Sequence, residues 1–227
     1  MDRMNVFNDN NLVHYEGELG IFDYDPEEFK VEKFNDGTEC LHYCGKGNSV
    51  DLPDGCIDTR YMFCQRRLPE GFSLGEHFDT SKVTDMYGMF EGCEILSGFS
   101  LGEHFDTSNV TDMARMFKDC NLPEGFSLGE RFYTSNVTDM ARMFENCKLP
   151  KDFTLGEHFD TSKVTDMYGM FSYCKLPEGF SLGKHFNTSS VTDAKFMFDN
   201  CKYNGIDAYD YFETENDIEI INKLREH

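Results

Sequence analysis

From Leu68 onward the apolar positions of this chain return at a fixed interval of 27 residues. Phe78, Phe105, Phe132, Phe159 and Phe186 fall one period apart, as do Cys93, Cys120, Cys147, Cys174 and Cys201. Equal spacing of this kind predicts one structural unit repeated and stacked. In the first copy, Leu68 to Cys93, the run Gly71-Phe72-Ser73-Leu74-Gly75 is bracketed by glycines and is too short for a helix. It predicts a short strand with Phe72 and Leu74 on one face. Downstream, Val83, Met86, Met89 and Phe90 recur at helical spacing, and Thr80, Ser81 or Thr84 is placed to cap a one- or two-turn helical or 3₁₀ segment. One such unit cannot bury its own apolar face. Stacked copies can, with their strands forming a parallel ladder at about 4.8 Å per coil.

Residues at one phase of the repeat form columns, and the columns sort by how much change they tolerate within this one chain. Phe72, Leu74, Phe78, Val83, Met89, Phe90 and Cys93 recur almost without exception and are expected in the core. The His77 position becomes Arg131, the Glu76 position becomes Lys184, and Tyr87-Gly88 becomes Ala114-Arg115, Ala141-Arg142 and Lys195-Phe196, so these positions are expected to face water or a partner.

The flanks differ in character. From Asn11 to Leu52 polar and apolar residues alternate around an Asn35-Asp36-Gly37 turn, which predicts a β-meander. Cys56 to Phe63 lies one period before Val83 to Phe90 and reads as a degenerate first coil. Beyond the repeats, Thr214 is placed to cap a helix with Ile218, Ile221 and Leu224 on one face. The expected organisation is therefore a β-meander cap over residues 1–55, a degenerate coil over 56–67, five repeats over 68–201 and a capping helix within 202–227. The fold class is mainly β with short helical turns.

The run Phe-Asp-Thr-Ser-Asn-Val-Thr-Asp-Met at Phe105 to Met113, followed by Met116-Phe117 and Cys120, resembles the leucine-rich repeats of the BspA family of bacterial surface proteins. The resemblance covers the five full copies. It implies a parallel β-solenoid of leucine-rich-repeat type used for adhesion or protein recognition, and it implies no catalytic residue.

Charge narrows the partner. Forty-two acids against 21 bases give a net charge of −21, with no basic segment to serve as an electrostatic footprint for nucleic acid or for anionic membranes. Basic proteins are the partners such a surface attracts at long range. The expected contact residues lie on the edge after each strand: Glu76, Asp79, Glu103, Asp106, Glu130, Glu157 and Asp160. Lys184 and Asn187 break that pattern in the last copy. Met1 to Asn5 opens a polar stretch with no apolar run after it, so the expectation is a cytoplasmic protein, or a secreted one if a signal peptide has been removed.

The remaining columns invite chemical readings that weaken on inspection. Five evenly spaced column cysteines are expected as unpaired buried thiols of a reducing compartment, and Cys40, Cys44, Cys56 and Cys64 do not follow a zinc spacing. Asp85, Asp112, Asp139, Asp166 and Asp193 suit capping better than calcium, which wants six to eight oxygens. Two carboxylates about 5 Å apart repel by about 3 kcal/mol at an effective dielectric of 20, so a buried column would need cations. His77, His104, His158 and His185 are interrupted by Arg131 and read as a solvated stripe, and the Thr80-Ser81 positions as loop hydrogen-bonders. With no phosphate loop, nucleophile elbow or zinc motif, the expectation is a non-enzymatic protein binder that requires no cofactor and no metal. Such a binder would occupy the basic surface of a nucleic-acid-handling protein as an inhibitor or nucleic-acid mimic. The alternative is a surface or secreted adhesin of the BspA type.

Overall fold

The structure, a computed structural model, describes residues 12–214. It is mainly β with little helix. Two antiparallel hairpins come first: β1 (Val13–Gly17) with β2 (Gly20–Tyr24), and β3 (Phe29–Lys33) with β4 (Glu39–Tyr43). The second turns at Asn35-Asp36-Gly37, where Gly37 takes a φ of 96° that only glycine adopts without strain. The hairpins form separate two-stranded sheets rather than a continuous meander.

From there the chain is organised by residues paired in parallel 27 positions apart. One row begins with β6 (Arg67–Leu68) against β8 (Glu94–Ile95), continues through Asn121 and Lys148 to β9 (Lys175–Leu176), and ends at β10 (Lys202–Tyr203). A second row runs Asp58, Asp85, Asp112, Asp139, Asp166, Asp193. The expected strand at Phe72 to Leu74 forms only in the first copy. There β7 (Ser73–Leu74) pairs with β5 (Ser49–Val50) of the preceding segment, and no later copy repeats it.

The helical turn expected over Val83 to Phe90 is a run of tight turns instead. N–H groups of Met86, Gly88, Phe90 and Gly92 donate to carbonyls of Asp112, Ala114, Met116 and Lys118 in the next copy. Between them, Met89, Glu91 and Cys93 donate to carbonyls three residues back. Beyond its first turn a helix would spend its N–H groups inside its own segment. Here alternate donors leave for the neighbouring copy, and a residue at positive φ turns the chain between them. The Gly88 position has φ near 58° in Arg115 and Arg142, and the Gly92 position has φ 58° in Asp119 and 51° in Asn146. The helical spacing of Met86, Met89 and Phe90 therefore records which side chains point inward, not a helix.

All the columns expected in the core are buried. The rings of Phe63, Phe90, Phe117, Phe144, Phe171 and Phe198 stack nearly parallel with centroids 5.2, 5.5, 5.7, 5.5 and 5.7 Å apart. Phe99, Phe126, Phe153 and Phe180 meet that stack edge-on at 5.6 to 5.8 Å, which suits the ring quadrupole. At one end Tyr43 covers Phe63 and Phe72. At the other, β10 folds back on β11 (Ile206–Asp207), and α1 (Ala208–Thr214) sets Tyr209 and Phe212 against Phe198. Thr214, expected as the cap before a helix, instead lies within α1; Ile218, Ile221 and Leu224 lie outside the described residues.

Candidate binding surfaces

Burial of Leu74 and Phe78 on either side of Gly75-Glu76-His77 forces the two polar side chains outward, and the same holds at Glu103-His104, Glu130-Arg131 and Glu157-His158. Glycine precedes each glutamate; φ is 78° at Gly102, 83° at Gly129 and 82° at Gly156, so these three positions favour a residue without Cβ. Leu74 to Phe78 and Leu101 to His104 line a cavity of about 450 Å³. One of about 540 Å³ lies among Ser127 to Arg131, Tyr133, Thr154 and Gly156 to His158. Of the seven residues expected to meet a partner, Glu76, Glu103, Glu130 and Glu157 therefore line these two cavities and are exposed, and Asp79 joins Glu76, His77 and His104 in a third.

The aspartates of this edge are more constrained than the glutamates. Asp79, Asp106 and Asp160 each accept an N–H two residues on, from Ser81, Ser108 and Ser162, at 2.9 Å. The Ser81 bond holds the Asp79 carboxyl below its ordinary range. Asp106 and Asp160 are half-buried, and Asp106 also pairs with Arg131 at 3.7 Å. Tyr133 replaces this aspartate in the third copy and packs on His158 at 4.7 Å.

The chemistry-bearing columns occupy other sites. All nine cysteines are free thiols, and the five column members are buried. Cys93, Cys120 and Cys174 donate to the carbonyls of Phe63, Phe90 and Phe144 at 2.7 to 2.9 Å, and burial pushes the Cys120 and Cys174 thiols up to about 12. Among the described residues no group of three or more His, Cys, Asp or Glu is arranged to hold a metal ion, and no helix is long and apolar enough to cross a membrane. Thr80, Thr107, Thr134 and Thr161 are fully buried, and their hydroxyls donate to carbonyls of the next copy. They join copies rather than cap turns within one.

The Asp85 column is half-buried, with each Oδ1 from Asp85 to Asp193 accepting the N–H two residues on. Burial first, then the neighbouring Asp85 and Asp139, push Asp112 up to about 7. Arg60 pairs with Asp58 and, at 3.2 Å, with Asp85.

Beside this column runs a line of aromatic and guanidinium groups. Phe34 meets Tyr61 at 5.3 Å, Tyr61 meets Tyr87 at 5.1 Å, and Arg115 lies 5.5 Å over Tyr87. Arg142 lies 4.9 Å over Tyr168, which meets Phe196 at 5.5 Å. Gly88 makes room for the Tyr61 ring against Tyr87, since a Cβ there would come within 2.8 Å of that ring. The sequence carried a signal for the line in the exchange of Tyr-Gly for Ala-Arg between copies, which identified an outward column without revealing that its members stack.

A family profile described as "Mycoplasma protein of unknown function, DUF285" matches residues 57–149 and 127–223. The chain belongs to this family. The two DUF285 matches together span the paired rows and all five copies. No curated protein and no solved structure matches the chain.

Proposed function

We propose that this DUF285 protein is a non-enzymatic protein-binding module, built as a BspA-like parallel solenoid of leucine-rich-repeat type, whose acidic edge occupies a basic surface of a nucleic-acid-handling protein. The unbroken 27-residue pairing from Asp58 to Asp193 supports the solenoid. The observation that carries the functional reading is the placement of Glu76, Glu103, Glu130 and Glu157, one per coil at one phase, each exposed and bordering a cavity. Carboxylates displayed in register on a rigid frame present a patterned negative field, which speeds encounter with basic surfaces and is screened over about 8 Å at physiological salt.

The test is capture of basic proteins from lysate by the full chain and by a Glu103→Lys, Glu130→Lys, Glu157→Lys variant, at low and high salt. Loss of salt-sensitive capture in the variant, with its melting temperature retained, supports the reading. Equal capture by both proteins overturns it for this edge.

A further inference from the structure

Tyrosine, arginine and phenylalanine are the residue types from which strong protein interfaces draw their energy. On this chain they are gathered in the line Phe34, Tyr61, Tyr87, Arg115 and Arg142, Tyr168, Phe196. Both ends of the line are exposed, Phe34 at 41% and Phe196 at 54%. The face also shows what it accepts. Arg115 and Arg142 each lie over a tyrosine ring while their guanidinium groups approach a carboxylate, Glu91 at 4.0 Å and Glu145 at 3.4 Å. Alongside, Asp112, Asp139, Asp166 and Asp193 stand one per copy, and no ion pair reaches them among the described residues. Where the two rows meet, a cavity of about 280 Å³ is lined by Asp36, Asp85 and Asp112, the rings of Tyr61 and Tyr87, Arg60 and Thr38.

We infer that this face recognises an arginine-rich extended segment of a partner protein, its guanidinium groups stacking on Tyr61, Tyr87, Tyr168 and Phe196 and pairing with the aspartate row. Charge complementarity selects this occupant: from Asp112 to Asp193 the row supplies carboxylates whose Oδ1 accepts a backbone N–H but which no cationic side chain pairs among the described residues, and a phosphate backbone or acidic peptide would be repelled by them. Arginine is favoured over lysine because its planar, weakly hydrated cation both stacks on a ring and forks onto a carboxylate. The inference rests on the protein-binding reading but uses a different surface from the glutamate edge.

Fluorescence polarisation of the full chain with labelled oligo-arginine, oligo-lysine and oligo-glutamate peptides at physiological salt tests it. The wild type is expected to bind oligo-arginine roughly fivefold or more tightly than oligo-lysine. A Tyr61→Ala, Tyr168→Ala variant, unchanged in charge, brings arginine binding down to the lysine level. Phe196→Ala, at an exposed position, halves it and serves if the double variant fails to fold. The Glu103, Glu130, Glu157 reversal weakens both cationic peptides and preserves their ratio; if it changes nothing while the arginine preference holds, the edge reading falls and this one stands. A wild type without arginine preference, a preference that survives loss of the tyrosines, or tighter binding of oligo-glutamate overturns it.

Discussion

Thr134 and Asp160 exchange two hydrogen bonds between adjacent copies. The threonine hydroxyl donates to the Asp160 carbonyl at 2.8 Å and accepts the Asp160 N–H at 2.7 Å. Thr80 with Asp106 and Thr161 with Asn187 repeat the exchange. A single buried oxygen thereby bonds both backbone polar groups of one residue in the neighbouring copy. Thr134→Val keeps the shape and strands the Asp160 carbonyl, while the N–H keeps its bond to the His158 carbonyl at 3.0 Å, so it should cost about 1–3 kcal/mol, whereas Thr134→Ser should cost less than about 1 kcal/mol. Urea denaturation of the two variants decides; equal midpoints would mean that water reaches the site.

Asp112 makes stability depend on pH in a direction opposite to that of ordinary paired carboxylates. Asp112 binds its proton more tightly folded than unfolded, being pushed up to about 7 from 3.8 by burial, with Asp85 and Asp139 adding and the Ala114 N–H and Arg60 opposing. Asp58 and Asp139 are raised in the same direction by burial. Ionisation of Asp112 therefore destabilises the fold, and its contribution falls as pH rises from about 4 to about 7 and is level beyond. Asp112→Asn keeps an oxygen for the Ala114 N–H, as Asn187 does for Ser189. At pH about 8 the variant should exceed wild type by on the order of 1–2 kcal/mol, allowing for the solvent that screens this half-buried group, and the gain should vanish near pH 4. A gain independent of pH would assign the effect to packing instead.

Phe144 is stacked between Phe117 at 5.7 Å and Phe171 at 5.5 Å and is met edge-on by Phe153 at 5.6 Å. Its truncation opens a cavity walled by rings on three sides, which the repeating backbone pairing prevents from collapsing. Phe144→Ala should cost about 3–5 kcal/mol, and His104→Ala, on an exposed side chain, about 0.5 kcal/mol or less. Comparable thermal shifts for the two would contradict this placement of core and surface.

The column thiols should be chemically silent in the folded protein. Cys120 and Cys147 are buried, and burial raises both above the ordinary thiol range. Since the thiolate is the reactive form, an alkylating reagent at neutral pH should label Cys44, which is half-buried, well before any column member. Denaturant should then expose the column cysteines together. Mass spectrometry after timed labelling reads the order directly, and early modification of Cys147 would count against a closed column.

What the sequence determined by itself is the repeat and its inward face. Phe72, Phe78, Val83, Met89, Phe90 and Cys93 hold their phase through copy after copy, and only a residue packed against its own image is constrained in that way. Outward projection of Glu103 and Glu157 followed from the same reasoning, because buried Leu and Phe flank each of them. Tertiary structure alone decided how the backbone between those residues is satisfied. Met86, Met89 and Phe90 have helical spacing, yet the N–H of Met86 leaves for Asp112 in the next copy. Local periodicity reports side-chain direction and is blind to donors that pair 26 residues away. The same limit hid the aromatic–guanidinium line: Tyr87 and Arg115 lie a full copy apart in the chain, and their contact exists only because stacking removes that separation.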